Sequence, residues 1–221
     1  MPDAHIRGFR PGDEPVLYEI CLRTGDAGRD ATGQYADPRV LGNVYVGPFL
    51  ALVPEHVHVL DADGTAVGYA LGAADTGRFE VECERRWWPP LRECYPDPVA
   101  VPPQERSPDQ EMAHLIHHPE TSLRAVTDRF PAHLHINLLP VVQRQGHGRR
   151  LMARLLAGLA TAGATGVHLG VDIGNPGAID FYHRLGFTDI DTEPGGVIMG
   201  MPLSLSSWEQ RWRGSGGAAS G

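Results

Sequence analysis

Gln143-Arg144-Gln145-Gly146-His147-Gly148 is the stretch on which the fold turns. It follows His133-Leu134-His135-Ile136-Asn137-Leu138, an alternating segment that reads as a strand and runs into Leu139-Pro140. It precedes Leu151, Leu155, Leu156 and Leu159, one apolar stripe at helical spacing that closes near Gly163. Glycines between a strand and a helix let the backbone approach a ligand, and the first amides of the helix lack acceptors of their own. The helix dipole adds positive potential there, so a diphosphate is the natural ligand, with Arg149 and Arg150 adding charge from the first turn. Two rivals fail on single residues. A dinucleotide fingerprint needs a third glycine where Leu151 stands, and a P-loop needs Lys-Ser/Thr where Arg149-Arg150 follow. A bare glycine pair is as often an ordinary turn, so the flanking chain has to carry the reading.

Downstream, Val167 to Asp172 reads as a second strand. Asn175-Pro176 opens another helix, as an N-cap followed by proline at the first helical position, and Gly186 suits its left-handed C-terminal cap. Strands near 187–190 and 197–201 complete this half. Upstream, His5-Ile6-Arg7 is the tail of a short strand, and Asp13 reads as the N-cap of a helix carrying Val16, Leu17, Ile20 and Cys21. Residues 25–48, rich in Gly, Asp and Pro, are expected to form an irregular loop with a short helical turn. A hairpin follows: Val57 to Leu60, the turn Asp61-Ala62-Asp63-Gly64, then Ala66 to Leu71. Phe79, Cys83, Trp87 and Leu91 are spaced by four, which predicts a helix stopping before Pro89-Pro90. The proline-rich stretch 96–108 reads as loop, with short helices over 111–118 and 122–130. The expected organisation is one domain over residues 1–205, with 73–130 as a helical and loop insertion. A tail, 206–221, ends in a Gly/Ser-rich run expected to be disordered.

Composition narrows the function classes. The net charge of −8 speaks against general nucleic-acid binding, which rests on Lys and Arg, and is compatible with a cationic partner. No apolar run approaches the ~20 residues of a membrane span, and the first residues lack the pattern of a signal peptide. Three cysteines without metal spacing suit reduced thiols in a cytoplasm. His114, His117 and His118 include an i,i+4 pair of the kind that binds metal, but lack the Glu of the zinc-protease arrangement; solvated imidazoles and no metal are the expectation.

The pattern Gln-x-x-Gly-x-Gly after Leu139-Pro140 resembles the acyl-CoA pyrophosphate loop of the GCN5-related N-acetyltransferases (GNAT). A second segment follows in the right order: Asn175-Pro176-Gly177-Ala178, Phe181-Tyr182 and Leu185-Gly186-Phe187 are similar to that family's helix after the second parallel strand. Ile6-Arg7 with Pro11-Gly12-Asp13-Glu14, Val67 to Gly72, and Trp87-Trp88-Pro89 resemble more closely the C-terminal acetyltransferase-like domain of animal O-GlcNAcases, with this chain as a free-standing relative of bacterial type. Its 221 residues leave no room for a hydrolase barrel of ~250 residues, so glycosidase activity is not implied.

The resemblance implies an α/β (α+β) GNAT fold, a mixed central sheet flanked by helices. Its parallel strands, 133–138 and 167–172, splay apart around acetyl-CoA. It implies that Leu138 and Leu139 offer backbone groups to the coenzyme. Gln143, Arg144, Gln145, Gly146, His147, Gly148 and Arg149 would cradle the diphosphate, and Asn175, Ala178 and Phe181 would line the pantetheine. Tyr182 falls on the usual general acid; the plainer alternative is a core tyrosine. Many relatives carry a Glu where Gly170 stands, so the base is open: Asp172 or His168 by strand parity, or His133 and His135 on the partner strand. The implied activity is acetyl transfer to a primary amine of a small molecule or peptide. The missing Glu leaves a second reading, a pseudo-acetyltransferase that binds acyl-CoA or a protein or peptide partner without turnover. Relatives are often dimers, which raises the expectation of a homodimer.

Overall fold

The computed structural model describes residues 4–203, so the expected tail, 206–221, lies outside the described residues. Seven strands form one mixed sheet: β1 (Ala4–Gly8), β2 (Val57–Ala62), β3 (Thr65–Ala73), β4 (Ala132–Leu138), β5 (Gly166–Asp172), β6 (Thr188–Glu193) and β7 (Gly196–Pro202). Their spatial order is β1-β2-β3-β4-β5-β7-β6, and the β4–β5 neighbours alone run parallel. The β2–β3 hairpin turns on Asp63 (φ 52°) and Gly64 (φ 83°), with Asp61 Oδ1 accepting from the Gly64 N–H at 2.7 Å. Both strands therefore reach further into the turn than the sequence suggests.

Helix α8 (His147–Thr161) covers one face of the sheet, burying Leu151, Met152, Leu155, Leu156 and Leu159 completely. Each such side chain contributes roughly 1.5–3 kcal/mol. Helix α9 (Pro176–Leu185) adds Tyr182 and Leu185 to the same core. The other face is packed by α1 (Glu14–Leu22), α2 (Val40–Tyr45), α3 (Gly47–Leu52), α4 (Thr76–Glu82), α5 (Trp88–Cys94) and α6 (Pro108–His117), around Leu17, Ile20, Phe49, Tyr69 and Leu71. A short α7 (Arg124–Thr127) leads into β4.

Three local expectations are corrected. Asp13 precedes α1, but its carboxylate takes the Arg7 guanidinium at 2.7 and 2.8 Å and the Arg10 N–H at 2.7 Å instead of capping the helix. The loop expected over 25–48 gives way to helix from Val40 onward. Pro89-Pro90 begins a helix instead of ending one. A π-helical turn, Cys83–Trp87, shifts the hydrogen-bond register so that the Trp88 N–H reaches Cys83 O. The prolines then occupy the first turn of α5, where their missing N–H groups cost nothing.

Candidate functional site: a cleft between diverging strands

β4 and β5 pair at only two rungs, Ala132↔Val167 and His133↔His168. Beyond them β4 stays on β3 as far as Gly68↔Leu138, while β5 stays on β7 as far as Asp172↔Gly196. The sheet thus opens into two halves. The Leu139 N–H bonds to Val67 O of β3 at 3.0 Å. Ladder alternation therefore turns the Leu138 N–H and C=O toward the gap, where the carbonyl accepts from Gln143 Nε2 at 2.9 Å.

The predicted loop sits at the end of this opening. Arg144 (φ 59°) and Gly146 (φ 81°) are both left-handed, and Gln143 to Gly146 are exposed. Successive turns of this kind aim backbone N–H groups outward as an anion nest. Nothing lies within 4 Å of where a Gly146 Cβ would stand, so the cradle is open on that side. Gly148 serves packing instead: a Cβ there would meet Leu138 Cδ1 and Phe181 Cζ, each at 3.2 Å. Gln145 Nε2 donates to Val141 O at 2.8 Å, and His147, opening α8, carries a buried Nδ1 with no partner among the described residues. Arg149 is exposed on the first turn, whereas the Arg150 guanidinium reaches the Ala4 carbonyl of β1 at 3.4 Å.

On the β5 side, Asn175 caps α9 as expected, its Oδ1 accepting from the Ala178 N–H at 3.0 Å, and Gly186 closes the helix at φ 98°. Phe181 packs half-buried toward the loop. Tyr182 turns into the core, its ring 5.4 Å from Phe181 and 5.6 Å from Phe187, and burial pushes its phenol well up. Asp172 is exposed, and its Oδ1 accepts from the Gly174 N–H at 2.6 Å.

The sheet face over the opening carries His133, His135, His168 and Gly170, as strand parity requires. Phe49 and Phe79 stack at 4.5 Å and abut the His133 ring at 5.3 and 5.2 Å. Burial among them pushes His135 down to about 4 and His133 well below its usual range, so both are neutral at pH 7. His168 Nδ1 donates to Phe130 O at 2.7 Å. Tyr45 flanks the same face, 6.1 Å from the His135 ring, with its phenol pushed up to about 12 by burial first and then by acidic neighbours including Glu120 and Glu193.

Glu193 is the residue that the sequence reading missed. A Cβ added at Gly170 would lie 3.1 Å from Glu193 Oε1, so a carboxylate from β6 covers the spot that Gly170 leaves bare. Its carboxylate takes no hydrogen bond or ion pair among the described residues. Parity alone gives no access to this placement, because β6 shifts register on β7 between Asp189 and Asp191.

A mixed sheet that opens between its parallel strands, with a glycine loop and a helix N-terminus at the opening, defines the class: an α/β fold organised around a cleft between diverging strands. Residues 32–187 match the profile of the Acetyltransferase (GNAT) family, and the chain belongs to that family. It is 29% identical to the Protein O-GlcNAcase of Rattus norvegicus over 204 residues, which is 90% of this chain but 22% of that protein. The chain thus spans about a fifth of the length of the curated relatives it matches. The crystal structure of SsHAT is 41% identical, with a TM-score of 0.86 over 92% of this chain and all of that one. The structure of yncA from Salmonella typhimurium, a putative acetyltransferase with its cofactor acetyl-CoA, shares the fold at 16% identity. Its TM-score is 0.53, over 92% of this chain and 96% of that one.

Proposed function

We propose that this chain transfers an acetyl group from acetyl-CoA to a primary amine carried by a small molecule or a peptide. The observation that carries this reading is the parting of β4 from β5 after two rungs, with the Leu138 N–H turned into the gap. Family membership supports acetyl-CoA as the cofactor, and the open, left-handed turn at Gly146 fits its diphosphate. When bound, the coenzyme supplies an acetyl thioester activated for attack.

The chain's own residues supply the rest. Gln143 to Arg149 hold the diphosphate, with Asn175, Ala178 and Phe181 along the pantetheine. Leu138 gives a donor to a carbonyl oxygen, a bond that strengthens as negative charge builds there. A lysine-like ammonium must lose its proton at a cost of ~4–5 kcal/mol at pH 7. Glu193, over Gly170, is the proton acceptor; Asp172 is the weaker candidate because its Oδ1 is engaged by Gly174. Tyr182, kept protonated by burial, is the proton donor. The net charge of −8 suits a cationic acceptor, and the free thiols of Cys21, Cys83 and Cys94 suit a cytoplasmic setting.

The test is coenzyme A thiol release against polyamines, amino acids, aminoglycosides, amino sugars and basic peptides. At least one class should be acetylated. Silence across the panel by protein that binds acetyl-CoA in a calorimeter would favour coenzyme binding without turnover.

A further inference from the structure

Helix α6 carries His114 one turn before His118 at its C-terminal cap, and their ring centroids lie 4.5 Å apart. Asp97, in the connection after α5, faces them: His118 Nε2 and Asp97 Oδ2 are 2.8 Å apart. One ligand atom from each of the three residues falls within 4.8 Å of the others. The remaining carboxylate oxygen, Asp97 Oδ1, and His114 Nδ1 are both buried without a hydrogen-bond partner. Leaving a buried polar atom unpaired costs about 1–3 kcal/mol, and two such atoms belong to this one cluster. His117 adds to it. Its Nε2 donates to Tyr95 O at 2.7 Å, which in the neutral ring leaves Nδ1 an electron pair 3.8 Å from Asp97 Oδ2. Four polar side chains thus meet at one place, with His118 Nε2 donating to Asp97 Oδ2.

The scaffold around them is already clamped. Arg92 of α5 donates through Nε to Ile116 O of α6 at 2.9 Å and pairs with Glu84. Tyr95 hydrogen-bonds through its hydroxyl to Asp37 at 2.6 Å.

We propose that Asp97, His114 and His118 bind a divalent transition-metal ion of the zinc class, with His117 or water in the fourth position. Two imidazoles and one carboxylate match the nitrogen and oxygen preference of such ions, whereas calcium and magnesium favour all-oxygen sets. Tetrahedral bonds of about 2.0–2.2 Å place ligand atoms ~3.4 Å apart, so the 2.8 Å His118–Asp97 hydrogen bond opens as its proton leaves and the wider pairs close in, changes within reach of side-chain rotation. The ion staples the loop after α5 to the end of α6.

The test titrates untagged, metal-free protein with Co²⁺ and then Zn²⁺, reading visible absorption of the cobalt form and heats of binding. One equivalent should bind. His114→Ala and the isosteric Asp97→Asn should each weaken binding by about tenfold or more. His183→Ala, which disrupts the exposed His183–Asp189 pair between α9 and β6, should leave it unchanged. H114A keeps the His118–Asp97 bond and D97N keeps the shape of the side chain, and circular dichroism checks that both remain folded. Absence of stoichiometric uptake by the wild-type protein, or equal affinity in the variants, overturns the proposal.

Discussion

Glu193 reaches the opening because neither Gly170 nor Gly196 has a side chain to exclude it: added Cβ atoms would lie 3.1 and 2.8 Å from its Oε1. In its proposed role as proton acceptor it acts on the chemistry and not on the coenzyme. Glu193→Gln should therefore lower kcat by about 10²-fold or more, with acetyl-CoA affinity within twofold of wild type. An unchanged kcat removes Glu193 from the mechanism. Tyr182→Phe should likewise lower turnover more than coenzyme affinity. Turnover equal to wild type would mean that the side chain is the core tyrosine its packing against Phe187 suggests. Residues such as Asn175, Gly146 and Gly186 were legible in the sequence because a cap or a left-handed turn is local chemistry. Glu193 was not, since a bulge two residues upstream decides which face it presents.

At the scale of elements, the join between the loop, β4 and α9 depends on close approach at Gly148. Its added Cβ would press on Leu138 and Phe181 together, at 3.2 Å each. Gly148→Ala should therefore cost about 1–3 kcal/mol in urea unfolding, despite the better helix propensity of alanine. A stability equal to or above wild type would show that this junction is loosely packed. The strand–loop–helix order from 133 to 187 could be read in advance because each segment carries its own period and its own punctuation. The insertion could not. Its π-helical turn at Cys83–Trp87 is what admits Pro89-Pro90 into a helix, and its Phe79 joins Phe49, His133 and His168 in a group that gathers side chains from four separate elements.

For the whole molecule, one buried ionic cluster and one buried neutral imidazole respond to acid in different pH ranges. Arg7 joins Asp13 and Asp61 at 2.7 Å each, and its hydrogen bonds hold both carboxyls below their usual range. That stability is present above the unfolded carboxyl pKa of ~3.9 and is lost as pH falls through the lower folded value. His135 is neutral in the fold, its pKa pushed down by burial to about 4, so its contribution begins to fade earlier, as pH drops below the unfolded value of ~6.5. The melting temperature should thus decline between pH 6.5 and pH 4, before the carboxylates respond, and His135→Gln should shrink that decline. An identical decline in the variant would mean that His135 does not drive it. Calorimetric titration of the same protein with coenzyme A and with pantetheine isolates the grip of the loop at the mouth of the split sheet on the diphosphate. Coenzyme A should bind at least about tenfold more tightly, and Gly146→Asp, placed where no atom lies within 4 Å, should abolish this difference while the fold survives. Equal affinity for the two ligands, or a Gly146→Asp variant that still favours coenzyme A, would mean that this loop does not hold the diphosphate.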